Sequence, residues 1–212
     1  MAKVILLDFW GTIVENGVWS PVKQIKNILN IKIPFQDYIV RMEKAMMSTC
    51  FENLRLSFEN VCKEFKIPIE NEKIEKSIGL WNKSWMLAEP YSDVNESLQK
   101  IKDKYKLILV SNSDKSSVRN VLDKYDLNKY FDKIYLSCEL GIIKSDPDFF
   151  KLILEKEKIK PEDCIMIGDG IQSDIIPAKR NNIRSILIDR KNAREFHPKV
   201  KDLKELEKVL NI

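Results

Sequence analysis

The sequence predicts an α/β fold, a Rossmann-like, doubly wound parallel sheet with an all-helical unit inserted after its first strand. Three observations predict it. Short apolar runs recur through the second half of the chain, separated by single amphipathic stretches. A similar run opens the chain. Between the two, apolar residues recur only at helical spacing. Strands joined through single helices pair in parallel with right-handed crossovers, because a hairpin cannot reach a parallel partner.

Met1 to Leu7 is read as the first strand: Val4-Ile5-Leu6-Leu7 is a short apolar run that stops at Asp8 and turns at Gly11. Three helices are read from spacings of three and four residues: Phe35, Ile39, Met42 and Met46; Leu54, Phe58, Val61 and Phe65; Ile74, Ile78, Trp81 and Trp85. A shorter helix lies near Val22 to Leu29, and Pro34 and Pro68 fall between runs, where helices begin or end. The Met and Trp residues are taken as packing of this bundle. From Tyr91 the pattern alternates. Strands are expected at Leu107–Val110, Lys133–Leu136, Cys164–Ile167 and Ile183–Ile188, and helices around Val118 and Leu122 and from Phe149 to Leu154. The expected domains are a core of residues 1–14 and 89–212 and a helical unit of 15–88, hinged near Glu15 to Gly17 and Glu89 to Tyr91.

The chain has 212 residues at 44% hydrophobic content, enough for one ordinary domain with a smaller one inserted. The net charge of +4 is a small excess of scattered basic residues, which argues against a nucleic-acid partner. No apolar run approaches the ~20 residues of a membrane span, and the first residues do not resemble a signal peptide. No membrane partner is expected, and the location is expected to be cytoplasmic. Cys50, Cys62, Cys138 and Cys164 lack the paired spacing of a zinc site and are expected to be reduced and mostly buried.

The strand ends carry the chemistry. The first ends in Asp8, the second in Ser111-Asn112-Ser113, the fourth in Gly168-Asp169-Gly170 with Asp174 beyond, and Lys144 lies in the loop after the third. In a parallel sheet these ends share one edge, where ligands bind. Alone, Asp8 reads equally as a turn former; the converging set favours a site. Asp8, Asp169 and Asp174 supply hard oxygen ligands suited to Mg2+, and a cation explains how crowded acids stay ionised. Lys144 and the Ser111 hydroxyl suit phosphate oxygens, and a carboxylate free to attack phosphorus would give an aspartyl-phosphate intermediate.

In order and spacing, Asp8-Phe9-Trp10-Gly11-Thr12, Ser111, Lys144 within Gly141 to Pro147, and Gly168-Asp169 with Asp174 resemble the four motifs of the haloacid dehalogenase (HAD) superfamily. The inserted helices resemble the C1-type cap of its subfamily I. The resemblance covers the whole chain. It implies that Asp8 is the nucleophile, that Ser111 and Lys144 bind the phosphoryl group, and that Lys144 steadies Asp8. It further implies Mg2+ on Asp169, Asp174, Asp8 and the backbone carbonyl of Trp10, with Thr12 orienting the loop and Asn112 contributing its backbone. The substrate implied is a small phosphorylated metabolite.

One residue departs from the pattern. Phosphatases of this superfamily carry a second Asp two residues after the nucleophile as general acid and base, and here that position is Trp10. An indole exchanges no proton at neutral pH, so a phosphatase built this way should be slow or favour good leaving groups. The 2-haloacid dehalogenases have a tyrosine there and use no metal, which makes them the main rival. The phosphonatases have a small Ala. The metal-type acids Asp169 and Asp174 favour the phosphohydrolase, and a non-catalytic phosphate-binding protein ranks third.

Other residues carry less. His197, beside Pro198, reads as a surface residue. Arg41 and Arg55 on the inserted helices are candidate contacts for an anionic substrate. Arg190 is unassigned, and Ser145 replaces the Pro usual after the motif lysine.

Overall fold

The first apolar run forms β1 (Val4–Leu7), and each of its four residues is buried. The computed structural model describes residues 3–212; Met1 and Ala2, the start of the predicted strand, lie outside the described residues. The chain then forms β2 (Val14–Glu15), helices α1 (Pro21–Ile28), α2 (Phe35–Met47), α3 (Leu54–Glu64) and α4 (Asn71–Met86), and β3 (Glu89–Pro90). Strands and helices alternate from there: α5 (Val94–Lys102), β4 (Lys106–Ser111), α6 (Lys115–Lys124), β5 (Lys133–Leu136), α7 (Ser137–Leu140), α8 (Pro147–Glu157) and β6 (Cys164–Gly168). A π-helical turn at Ile171–Ile175, α9 (Ile176–Arg180), β7 (Arg184–Ile188), β8 (Lys199–Val200) and α10 (Leu203–Leu210) complete the described chain.

Six strands form one parallel sheet in the order β5-β4-β1-β6-β7-β8. β1 is central, with Leu7 level with both Leu109 and Ile167. Alternate residues feed two apolar layers, as a pleated strand requires. Ile5, Leu7, Leu107, Leu109, Ile165 and Ile167 face α5, α6 and α10. Val4, Leu6, Ile108, Val110 and Met166 face Phe149, Phe150 and Ile153 of α8 and Ala178 of α9. Each such side chain, fully buried, contributes about 1.5–3 kcal/mol, so the two layers hold the strand ends in register. The predicted strands are all present; β2, β3, β8, α5, α7, α9 and α10 are additional, the three strands being too short to leave a pattern.

The helices α1–α4 share a separate apolar cluster built on Ile25, Tyr38, Met42, Met46, Phe58, Val61 and Ile74. Here the sequence reading of α2 needs correction. Tyr38 is buried and Phe35 is 40% exposed, so the face that packs runs through Tyr38, Met42, Ala45 and Met46. The segments Glu15 to Gly17 and Glu89 to Tyr91 adjoin a two-stranded antiparallel ribbon, Val14 opposite Pro90 and Glu15 opposite Glu89, where the chain leaves and re-enters the sheet region.

Side-chain bonds fasten these helices to the N-terminal ends of α6 and α7, beside the sheet. Ser137 Oγ donates to the Met47 carbonyl at 2.6 Å, and Trp81 Nε1 donates to Asp114 Oδ2 at 2.8 Å. Cys62, Cys138 and Cys164 are buried and Cys50 is exposed, all four free. Although 88 positions apart, Cys50 and Cys138 meet with their sulfurs 2.7 Å apart, a pairing that sequence spacing did not disclose. Among the described residues no helix is long and apolar enough to cross a membrane.

Candidate active site

Asp8 stands one residue beyond β1, yet its N–H still donates to the Ile167 carbonyl at 2.9 Å, so its carboxylate is held at the C-terminal edge of the sheet. The chain turns back at once, with the Ile13 and Val14 N–H groups donating to the Phe9 carbonyl. Gly11 adopts φ +74° in this turn, and a Cβ there would lie 2.6 Å from Asp169 Oδ2. Only glycine takes that conformation without strain and leaves the acid its space. Thr12 Oγ1 donates to Asp8 Oδ2 at 3.0 Å, fixing one carboxylate oxygen from behind.

Lys144 fixes the other. Its Nζ lies 2.5 Å from Asp8 Oδ1 and 2.5 Å from Asp174 Oδ1, the second contact being an ion pair outside hydrogen-bond geometry. The Lys144 N–H donates to Asn112 Oδ1 at 2.8 Å, so the residue after β4 positions the lysine loop. Asp174 sits in the π-helical turn, where the Gly170 N–H donates to its Oδ2 at 2.8 Å. A Cβ on Gly168 would collide with the same carboxylate.

One oxygen from each of Asp8, Asp169 and Asp174 lies within 4.8 Å of the others. Burial, with repulsion from Asp8 and Asp174, pushes Asp169 up to about 7. Burial likewise pushes Asp174 up to about 6, with Lys144 pulling against it and Asp8 pushing with it. Burial opposes the charge on Lys144, but Asp174 and Asp8 outweigh it and hold the ammonium above its ordinary value. Three carboxylates against the Lys144 ammonium and the more exposed Arg194 guanidinium, 3.7 Å from Asp169 Oδ2, leave a formal charge of minus one. An oxygen-only donor set with that excess fits a hard divalent cation.

Asp8, Trp10, Asn112, Lys144, Asp169 and Asp174 line one cavity of about 410 Å3. Trp10 is half-buried, set edge-to-face on Phe9 at 4.8 Å, with Nε1 donating to Ser113 Oγ at 3.4 Å. Thr12 is fully buried behind Asp8 and does not line the cavity. Ser111 is fully buried, is not part of the lining, and its Oγ has no hydrogen-bond partner among the described residues.

Two charged residues of the lining escaped the sequence reading. Glu43 projects from α2, its Oε2 accepting from Asn112 Nδ2 at 2.9 Å. The signal was present: Phe35, Ile39, Glu43 and Met47 repeat every fourth residue, form a second stripe on α2, and all line the cavity. Arg194 donates to the Asp169 carbonyl and lies 3.7 Å from its Oδ2; it comes from an irregular loop with no periodicity to mark it.

Arg41 and Arg55 do not fill the role considered for them. They pair with Glu64 and Glu75 on exposed surface and do not line the cavity. Arg190 chelates Asp93 at 2.7 and 2.8 Å and donates to the Thr12 carbonyl, bracing the turn after Asp8. His197 is exposed in the loop before β8.

A family model described as haloacid dehalogenase-like hydrolase matches residues 2–182. The chain belongs to the haloacid dehalogenase-like hydrolases. Among curated relatives of this HAD chain, mouse N-acylneuraminate-9-phosphatase is 29% identical over 134 residues, 60% of this chain and 53% of the relative. The chain thus spans about half the length of the curated relatives it matches. Among solved structures, a HAD phosphatase from Thermococcus onnurineus superposes with a TM-score of 0.65 at 22% identity, covering 98% of this chain and 97% of that one. A 2-haloacid dehalogenase from Pseudomonas syringae gives 0.67 at 16% identity, covering 100% and 99%. HAD folds of both chemistries therefore superpose equally well, and the choice between them falls to the site.

Proposed function

We propose that this HAD hydrolase is a Mg2+-dependent phosphohydrolase of small phosphorylated metabolites that works through a phosphoryl group carried on Asp8. The observation that carries the proposal is the convergence of three carboxylates, Asp8, Asp169 and Asp174, within 4.8 Å of one another beside Lys144, which a dehalogenase working without metal would have no use for. In this reading Asp8, Asp169, Asp174 and the Trp10 carbonyl hold Mg2+, which when bound would neutralise phosphoryl oxygens and keep the acids ionised. Lys144 directs Asp8 and pairs with phosphoryl oxygens, and Asn112 sets the lysine loop. Ser111, whose buried hydroxyl has no partner among the described residues, would donate to those oxygens by turning into the cavity that it does not line in this structure. Thr12 and Lys144 each occupy one Asp8 oxygen, which leaves the carboxylate little rotation and aims it along one direction of attack.

The proposed domains are a core of 1–14 and 89–212 and a cap of 15–88 that moves about the β2–β3 ribbon to exclude water. A cavity of about 410 Å3 is within the usual range for small-molecule sites, ~300–1,000 Å3. Four free cysteines suit the reducing cytoplasm as the place of action. A second reading, 2-haloacid dehalogenase, is favoured by the aromatic Trp10, since a departing halide needs no proton.

One assay separates the two. Phosphate release from p-nitrophenyl phosphate that requires Mg2+ and is abolished by EDTA and by Asp8→Asn is the expected result. Chloride release from 2-chloropropionate without metal would establish the rival.

A further inference from the structure

We propose that Glu43, from the helical unit, is the proton donor and acceptor of the reaction, the role that Trp10 cannot perform. The proposal rests on the phosphohydrolase reading above.

Position comes first. Glu43 lies on the cavity-facing stripe of α2 between Ile39 and Met47, so its carboxyl opens into the same space as Asp8. It is also anchored. Asn112 Nδ2 donates to its Oε2 at 2.9 Å, Asn112 Oδ1 accepts the Lys144 N–H at 2.8 Å, and Lys144 Nζ meets Asp8 Oδ1 at 2.5 Å. One amide therefore links the carboxyl of α2 to the lysine loop that holds Asp8, just beyond β1. Asn112 engages Oε2, which leaves Oε1 as the atom assigned to the substrate oxygen.

The surroundings favour a carboxyl that holds its proton near neutrality. Burial is the largest influence, pushing Glu43 up to about 7; Asn112 and Lys144 pull it down, and Asp174 and Asp8 push it up. These are the charged and polar groups facing it from the loops after β1 and β4, the loop before α8 and the π-helical turn. A proton donor works best with a pKa near the working pH.

The steps balance. As an Asp8 oxygen bonds to phosphorus and the bond from phosphorus to the ester oxygen breaks, the Glu43 proton passes to that oxygen and the alcohol leaves. Water then attacks the phosphorus of the aspartyl phosphate and its proton returns to Glu43. Phosphate and the Asp8 carboxylate separate, which restores the starting state.

Leaving-group dependence tests this. The first turnover is measured with full-length protein and Mg2+ on a series of aryl phosphates from p-nitrophenyl to phenyl, for wild type, Glu43→Gln and Glu43→Asp. The glutamine is isosteric and its side-chain oxygen can keep the Asn112 bond. Glu43→Gln is expected to leave p-nitrophenyl release within about threefold of wild type and to slow phenyl release by ~10²-fold. Glu43→Asp, which keeps a carboxyl, should restore part of the loss on phenyl phosphate. A uniform loss across the series, or no loss, overturns the assignment of Glu43 while leaving Mg2+-dependent hydrolysis intact. Wild type that hydrolyses no member of the series overturns the phosphohydrolase reading itself, and this assignment with it.

Discussion

The Lys144 ammonium meets the Asp8 carboxylate at 2.5 Å across 136 positions of sequence, and both side chains are almost fully buried. A charged pair taken out of water is stable only while each partner keeps the other, because an orphaned buried charge is far costlier than the pair.

Lys144→Met should therefore lower unfolding stability by about 3–5 kcal/mol, since it leaves Asp8 facing Asp169 and Asp174 with no ammonium between them. Urea unfolding with and without Mg2+ checks this, and Mg2+ should return part of the loss. An unchanged urea midpoint would mean that the pair has no structural role.

Two glycines give opposite expectations. Gly168→Ala drives a methyl against the Asp174 carboxylate and should weaken Mg2+ binding at least about tenfold, read by titration calorimetry. Gly79→Ala on α4 meets nothing within 4 Å and should stabilise by about 0.5–1 kcal/mol, the difference in helix propensity.

The stability of the folded state should depend on pH through Glu43. The folded group titrates at about 7 against 4.5 ordinarily. Below pH 4.5 both states hold the proton and nothing changes. Between 4.5 and 7 the unfolded chain has released it while the folded protein still binds it, so stability falls as pH rises, and the full penalty stands above 7. Glu43→Gln removes that penalty. It should melt higher than wild type at pH 8, by an amount worth about 1–3 kcal/mol, and the gap should close towards pH 5. A gap that does not vary with pH would contradict the assigned shift.

Cys50 and Cys138 should be open to cross-linking. A small-molecule disulfide would react at exposed Cys50, and the adjacent Cys138 thiol would displace the small thiol to leave an intramolecular bridge. Burial of Cys138, then its contact with Cys50, holds that thiol well above its ordinary value, so bridging should accelerate with alkaline pH. Peptide mass mapping should find the Cys50–Cys138 bridge, and turnover should fall with it, since the bridge ties the segment after α2 to α7. Cys50→Ser should abolish both effects.

Much of this was legible because the fold writes itself in short periods. The run Val4–Leu7 and its counterparts could be seen as buried strands, and a parallel sheet brings their ends together wherever they fall in sequence; hence Asp8, Ser111, Asn112, Lys144, Asp169 and Asp174 could be grouped from the sequence, and all of these but the buried Ser111 line one cavity. The inserted helices were equally plain from spacing. What escaped depends on which face of a helix meets which neighbour. The two stripes of α2 overlap in sequence, and the apolar pattern alone assigned Phe35 to the core, where Tyr38 stands, and passed over Glu43. Arg194 and the meeting of Cys50 with Cys138 arise from loops whose course is set by tertiary packing. Arg41 and Arg55 were considered for their charge, yet nearby acids on the same exposed surface engage them.

The central claim is that Asp8 carries the phosphoryl group in the presence of Mg2+. Its most direct test is acid quenching of the protein with p-nitrophenyl phosphate and Mg2+ within the first turnover, in water enriched in oxygen-18, followed by mass spectrometry of the peptide containing Asp8. The account predicts one phosphoryl group on Asp8, lost when EDTA is added, with the heavy oxygen appearing in released phosphate and not in the Asp8 carboxylate after turnover. No adduct at any quench time, an adduct that forms equally without metal, or heavy oxygen in the Asp8 carboxylate would contradict it.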